Sequence, residues 1–282
     1  MKAAGAEGFP PPPGEDRSRS DQVGAARLGG AGHLDHPAAP TRSSLRFDHP
    51  PRAGEGESYL DLSHIDAWIF DLDDTLYPPE QGVMGLVQAR INAFMVDAVG
   101  LPADEARVLQ RSFLDEHGTT LAGLMANYAV DPERFLREVH DVPLDSLEPS
   151  PRMAEALARL PGRRFVLTNG ARCHAARVLE RIGITDLFDG VFAIEDMDLT
   201  PKPAPSTFRR FLDRFDIDPR RAVFFEDTPK NLEPAKALGM TTVLIATAEH
   251  LQSTGRVAGD WVDAKAPDLL SFLEPLPLRD AA

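Results

Sequence analysis

Four short polar clusters stand out in this 282-residue chain: Asp71-Leu72-Asp73-Asp74-Thr75, Thr168-Asn169-Gly170, Lys202 within Thr200-Pro201-Lys202-Pro203, and Glu226-Asp227. Singly, each reads as readily as a turn, a solvated lysine or a helix N-cap. Together they describe a different situation. Carboxylates converging beside apolar segments repel one another unless a cation sits among them, and a hard divalent ion such as Mg²⁺ with oxygen ligands is the economical solution. A threonine hydroxyl, the backbone amides after it and an ammonium add donors for an anion. That combination of groups suits a phosphoryl group.

The elements that must position these clusters are short apolar runs. Ala67–Phe70, Phe165–Leu167, Val191–Ile194, Ala222–Phe225 and Thr242–Ile245 each run only a few residues between polar or glycine boundaries. Such runs suit strands buried on both faces of a parallel sheet. Helical patterns lie between them at Met153–Leu160, Ala175–Ile182, Thr207–Phe215 and Leu232–Leu238, with Gly183 and Gly239 placed to stop two of them. The alternation predicts an α/β protein with a doubly wound, Rossmann-like parallel sheet, whose ligands bind beyond the carboxyl ends of the strands, where the clusters fall. Residues 80–150 break the rhythm. They read as helices throughout (Met84–Val99, Asp104–Glu116, Leu121–Tyr128, Pro132–His140), too long a stretch for a strand-to-strand connection. This predicts a helical cap at 80–150 inserted into a core made of 59–79 and 151–282.

Composition narrows the partners. With 30 Lys and Arg against 44 Asp and Glu, the net charge of −14 argues against nucleic-acid polymers and anionic membranes, which demand a basic surface. No apolar stretch is long enough to span a bilayer, and the single cysteine precludes an internal disulfide, so the expected location is the cytoplasm. Residues 1–58 differ from the rest. Their 8 Pro and 9 Gly, with only seven large apolar residues, predict a disordered tail that lacks the apolar core of a secretory signal. A dispensable extension or a start assigned too far upstream are the two readings of it.

At its four motifs the chain resembles the haloacid-dehalogenase-type hydrolase superfamily. Phe70-Asp71-Leu72-Asp73-Asp74-Thr75-Leu76 is similar to the first motif, Thr168 to the second, Lys202 to the third and Glu226-Asp227 to the fourth, in order and in strand context over residues 65–246. The insert after the first motif resembles the family's first cap type. Asp71 through Pro78, His117-Gly118-Thr119-Thr120-Leu121 and Phe225-Glu226-Asp227-Thr228 resemble the pyrimidine 5′-nucleotidase branch.

The resemblance implies a Mg²⁺-dependent hydrolysis of small phosphate monoesters, nucleoside monophosphates above all. Asp71 would be the nucleophile that forms an aspartyl-phosphate, and Asp73 the acid and then the base. Mg²⁺ would be held by Asp71, the backbone carbonyl of Asp73 and Asp227. Thr168, the amides of Asn169 and Gly170, and Lys202 would orient the phosphoryl oxygens. Asn231 stands where many relatives carry another acid. Asp73 favours esters over halides, because a halide leaving group needs no acid. Sugar-phosphate or phosphoglycolate hydrolysis, a phosphomutase and a non-catalytic phosphate sensor are the alternatives. Several residues keep more than one reading: Glu226 as metal neighbour, N-cap or Lys202 partner, Thr119 and Thr120 as pocket wall or cap. Tyr77 reads as packing, with substrate contact as its alternative, His174 as loop support, Cys173 as a small helix residue and His117 as a helix C-terminal cap.

Overall fold

The computed structural model describes residues 60–276. The tail predicted at 1–58 lies outside the described residues. The sheet has six parallel strands in the order β3-β2-β1-β4-β5-β6, with β1 Ala67–Phe70, β2 Arg163–Leu167, β3 Gly190–Phe192, β4 Ala222–Glu226, β5 Thr241–Ile245 and β6 Ala264–Ala266. β1 lies centrally, in register with β2 (Ala67 opposite Arg163) and with β4 (Ala67 opposite Ala222).

Alternation within these buried strands sends successive side chains to two separate cores. Trp68, Phe70, Val166, Phe225 and Val243 pack with α5 Pro151–Ala158, α6 Arg172–Ile182 and α10 Leu269–Leu273. Ile69, Phe165, Leu167, Phe224 and Leu244 face the other way, onto α7 Pro205–Phe215 and α8 Pro229–Ala237. The fold is therefore α/β with helices on both faces of a parallel sheet, as the alternation predicts.

Between β1 and α5 four helices are inserted: α1 Val83–Val99, α2 Ala103–His117, α3 Thr120–Asn127 and α4 Pro132–Val139. Phe94, Met95, Phe113, Leu124 and Phe135 bury themselves among these helices. Gly123 lets α3 lie against α2, since a Cβ there would stand 2.2 Å from Phe113 Cγ. The chain leaving the insert is held by α6: Arg177 donates to the carbonyls of His140 and Val142 (2.9 and 2.7 Å), and Arg181 to that of Leu144 (3.2 Å).

The structure differs from the sequence reading in three respects. α5, α7 and α8 begin two or three residues earlier than their apolar patterns, because Pro151, Pro205 and Pro229 open them and proline suits a helical first turn. β3 stops at Phe192, two residues short of the predicted Ile194. β6 and the helices α9 Ala248–Thr254 and α10 have no counterpart in the reading. β6 is three residues long with a lysine in its centre, and α9 buries none of its side chains, so neither carries an apolar signature.

Candidate active site

The four clusters meet at the carboxyl edge of the sheet. Asp71 follows the last residue of β1, and its amide donates to the Phe225 carbonyl on β4 (2.9 Å), which extends the ladder one residue and holds the carboxylate beside Glu226. Thr168 follows β2, with its amide on the Phe192 carbonyl (3.0 Å). Lys202 comes from the loop between β3 and α7, and that loop is clamped by Asn169. The Asn169 side chain accepts from the Lys202 amide (2.8 Å) and donates to the Lys202 carbonyl (3.0 Å).

Lys202 is the electrostatic centre. Its Nζ donates to Asp71 Oδ1 and to Glu226 Oε2, each at 2.7 Å, and the ammonium is almost wholly buried. Burial disfavours its charge, but Asp71 and Glu226 more than compensate and hold its pKa above the ordinary lysine value. One ammonium does not neutralise two carboxylates. Burial pushes Asp71 up to about 6 against the pull of Lys202, and Asp227 and Asp73 push the same way. Burial and the charge of Asp71 likewise push Glu226 well above the usual carboxylate range.

Asp73 is placed differently. Its Oδ1 accepts from the Tyr77 hydroxyl (2.5 Å) and lies 2.8 Å from His174 Nε2. An ionised carboxylate only accepts, so Nε2 carries the proton and donates. Burial alone would raise the Asp73 pKa; nearby His174, its hydrogen bond and that of Tyr77 overcome burial and hold the carboxyl below its ordinary value. The His174 ring is fully buried and lies 4.8 Å, centroid to centroid, from His140 at the end of α4. Gly170 allows the second cluster to approach: a Cβ there would stand 3.3 Å from His174 Cδ2 and 3.4 Å from Asp73 Oδ2. The Gly170 amide itself donates to Thr168 Oγ1 (2.9 Å).

Asp71, Asp73, Thr168, Asn169, Gly170, Lys202 and Asp227 all line one cavity of about 300 Å³, roofed by the helical insert. Every residue proposed from sequence is thus brought together. Asp71, Glu226 and Asp227 place carboxylate oxygens within 4.8 Å of one another. Around the cavity stand five carboxylates (Asp71, Asp73, Asp74, Glu226, Asp227) against two cations, Lys202 and Arg256. This surplus of buried, oxygen-bearing negative charge fits a hard divalent cation. The Asp73 side chain is outside the trio, occupied by Tyr77 and His174.

Four contributors were missed by sequence reasoning. Tyr77 and His174 engage Asp73, where packing and loop support had been expected. Asp74 takes a left-handed backbone (φ 58°), and burial with repulsion from Asp227, Asp73 and Asp71 pushes its carboxyl up to about 7. Arg256 donates to Asp227 Oδ2 at 2.6 Å. Tyr77 has a signal in hindsight, since it falls four residues after Asp73; Arg256 lies 29 residues beyond its partner with nothing to mark it. Thr119 fulfils both of its readings: it caps α3 by accepting from Ala122 N (3.1 Å) and it lines the cavity. Glu226 is the Lys202 partner and also accepts from Thr228 N (3.1 Å). A larger hollow, about 590 Å³, shares Asp74 and Asp227 with the site but contains none of Asp71, Asp73, Thr168 or Lys202.

The chain is similar to several known proteins. The chain is 28% identical over 229 residues to phosphate metabolism protein 8 of Saccharomyces cerevisiae, covering 75% of this chain and 71% of the yeast protein. It is 28% identical to a phosphoglycolate phosphatase of Rhodospirillum rubrum, covering 71% of this chain and 92% of the other. A glyceraldehyde 3-phosphate phosphatase of Methanocaldococcus jannaschii matches at 24% identity over 74% of this chain and 96% of its own length. The solved structure of a HAD phosphatase from Thermococcus onnurineus shares the fold, with a TM-score of 0.52 at 21% identity, covering 74% of this chain and 96% of that one. Residues 65–239, from just before β1 to just after α8, match the family model for haloacid dehalogenase-like hydrolases, and the chain belongs to that family.

Proposed function

We propose that this chain is a cytoplasmic, Mg²⁺-dependent phosphatase that hydrolyses small phosphate monoesters in two steps, with pyrimidine nucleoside monophosphates as substrates. The observation that carries the reading is the buried pairing of Asp71 with Lys202 in the cavity lining, with Asp73 two residues away and independently held. Asp71 attacks phosphorus and becomes an aspartyl-phosphate, which divides one hard displacement into two easier ones. Asp73 acts as the acid in its protonated form, giving that proton to the departing oxygen, and the carboxylate so formed takes one from the water that cleaves the acyl-phosphate. Lys202 and Thr168 orient the phosphoryl oxygens, and Asn169 fixes the Lys202 backbone. Asp71, Asp227 and the Asp73 carbonyl would hold Mg²⁺, with Glu226 close by; bound there it supplies charge stabilisation to the transferring group.

The relatives named as phosphatases support phosphate-ester hydrolysis, and the residue pattern around Asp71–Pro78 supports the nucleotidase branch. A second reading, a sugar-phosphate or phosphoglycolate phosphatase, draws on the substrates for which the same relatives are named. Phosphate release from a panel of nucleotides and sugar phosphates, with Mg²⁺ and with chelator, decides. Release should depend on the metal, fall to background in Asp71→Asn and be fastest with pyrimidine monophosphates. Activity persisting under complete chelation would sink the metal assignment, and faster turnover of sugar phosphates would transfer the protein to the second reading.

A further inference from the structure

The wall opposite the phosphoryl end of the cavity comes from the helical insert, and its chemistry is one-sided. Met84, Val87, Ile91, Leu114 and Leu121 present apolar surface there. The insert adds no Lys, Arg, Asp or Glu to the lining. Its ionisable contribution is His140, held neutral at ordinary pH because burial, with His174 beside it, pushes its pKa down to about 4. The cavity's two cations are committed at the far end, Lys202 to Asp71 and Glu226, Arg256 to Asp227. The wall's uncharged polar groups are Gln88, whose Nε2 donates to Asn92 Oδ1 (3.2 Å), and Thr119 and Thr120, which are partly spent as acceptors. Thr119 Oγ1 accepts from Ala122 N, and Thr120 Oγ1 accepts from Gln110 Nε2 at 3.3 Å. Each keeps a hydroxyl proton to donate.

From this we infer that the insert selects leaving groups that carry no charge of their own: neutral groups with an apolar face and carbonyl-type acceptors. The inference rests on the phosphatase reading and sharpens it. A carboxylate or second phosphate on the leaving group would lose hydration against apolar side chains with no cation supplied by the insert, the two cations of the cavity being already paired, and a cluster of carboxylates nearby. A group rich in hydroxyls would find too few partners. A neutral ring bearing carbonyl oxygens would lie on Met84, Val87 and Ile91 and accept from Thr119 and Thr120.

Matched substrates isolate the effect: 2-phosphoglycolate against the phosphate monoester of ethylene glycol, and a nucleoside 3′,5′-bisphosphate against its 5′-monophosphate. The uncharged member of each pair should have the higher kcat/KM by roughly 100-fold. Leu114→Arg, on an exposed stretch of α2, should narrow the ratio by about tenfold or more through the charge it introduces; Met84→Lys on α1 is the second such variant. Equal turnover within the pairs, or preference for the anionic members, would overturn the inference and leave the phosphatase reading standing. If no compound releases phosphate, that reading fails. Calorimetric affinities of Asp71→Asn protein for the same pairs then decide the present one, and equal binding of both members would reject it.

Discussion

Asp73 shows how much a single carboxylate depends on its neighbours. Tyr77 and His174 both engage Oδ1. The other oxygen, Oδ2, faces Gly170, so in the acid form Oδ2 is the oxygen left to carry the proton. Removing either donor lets the carboxyl rotate, and general-acid assistance of this kind is worth on the order of 10²–10⁴ in rate. Tyr77→Phe and His174→Gln should therefore slow acyl-phosphate formation from alkyl phosphates by about tenfold to a hundredfold, but spare p-nitrophenyl phosphate, whose leaving group needs no proton. Rapid-quench measurement of the first turnover on both substrates checks this; equal loss on the two would indicate general structural damage. Asp71, Thr168 and Glu226-Asp227 were legible in sequence because each closes or directly follows an apolar run, and Lys202 by its place in Thr200-Pro201-Lys202-Pro203 after the third run. His174 was not, because its contact with Asp73 spans 101 residues and no local pattern records it.

Among the elements, the joint between insert and core carries the clearest pH signature. His140 ends α4 with its ring against His174, its carbonyl on Arg177 and Nδ1 bonded to the Leu136 carbonyl (2.8 Å). Its folded pKa of about 4 lies below the ordinary 6.5, so the unfolded chain binds the extra proton first. The stabilisation is complete above pH 6.5 and is lost as pH falls from there to about 4, a loss of roughly 3 kcal/mol at most. Urea unfolding at pH 7 and pH 5 should show a smaller stability loss in His140→Gln than in the unmodified protein, and identical losses would exclude His140 as the cause. Five strands and all four inserted helices were legible, because double-sided burial and helical periodicity leave continuous apolar signals. β6, α9 and α10 were not. Edge pairing of Ala264-Lys265-Ala266 rests on backbone hydrogen bonds to β5, which side-chain types do not report.

At the scale of the whole molecule, the net charge of −14 has a local counterpart in the five carboxylates and two cations around the cavity. Like charges in a buried site oppose folding, so a divalent cation that binds the folded chain should stabilise it, by about 2.7 kcal/mol at a hundredfold excess over Kd. Thermal unfolding with Mg²⁺ and with chelator should show a higher Tm in Mg²⁺, and Asp227→Asn should reduce the difference. An unchanged Tm over a wide range of Mg²⁺ would contradict the site. Among the described residues no helix is long and apolar enough to cross a membrane. The central position of β1 also has a consequence for how the chain is made. Its partners at Arg163 and Ala222 follow it by the length of the insert or more. At about 5–20 residues per second of synthesis, β1 leaves the ribosome several seconds before any strand that can pair with it. Four helices with mostly local contacts emerge in that interval. The roof of the cavity is thus available before its floor, and Asp71 reaches its final surroundings only when the strand carrying Glu226 has been synthesised.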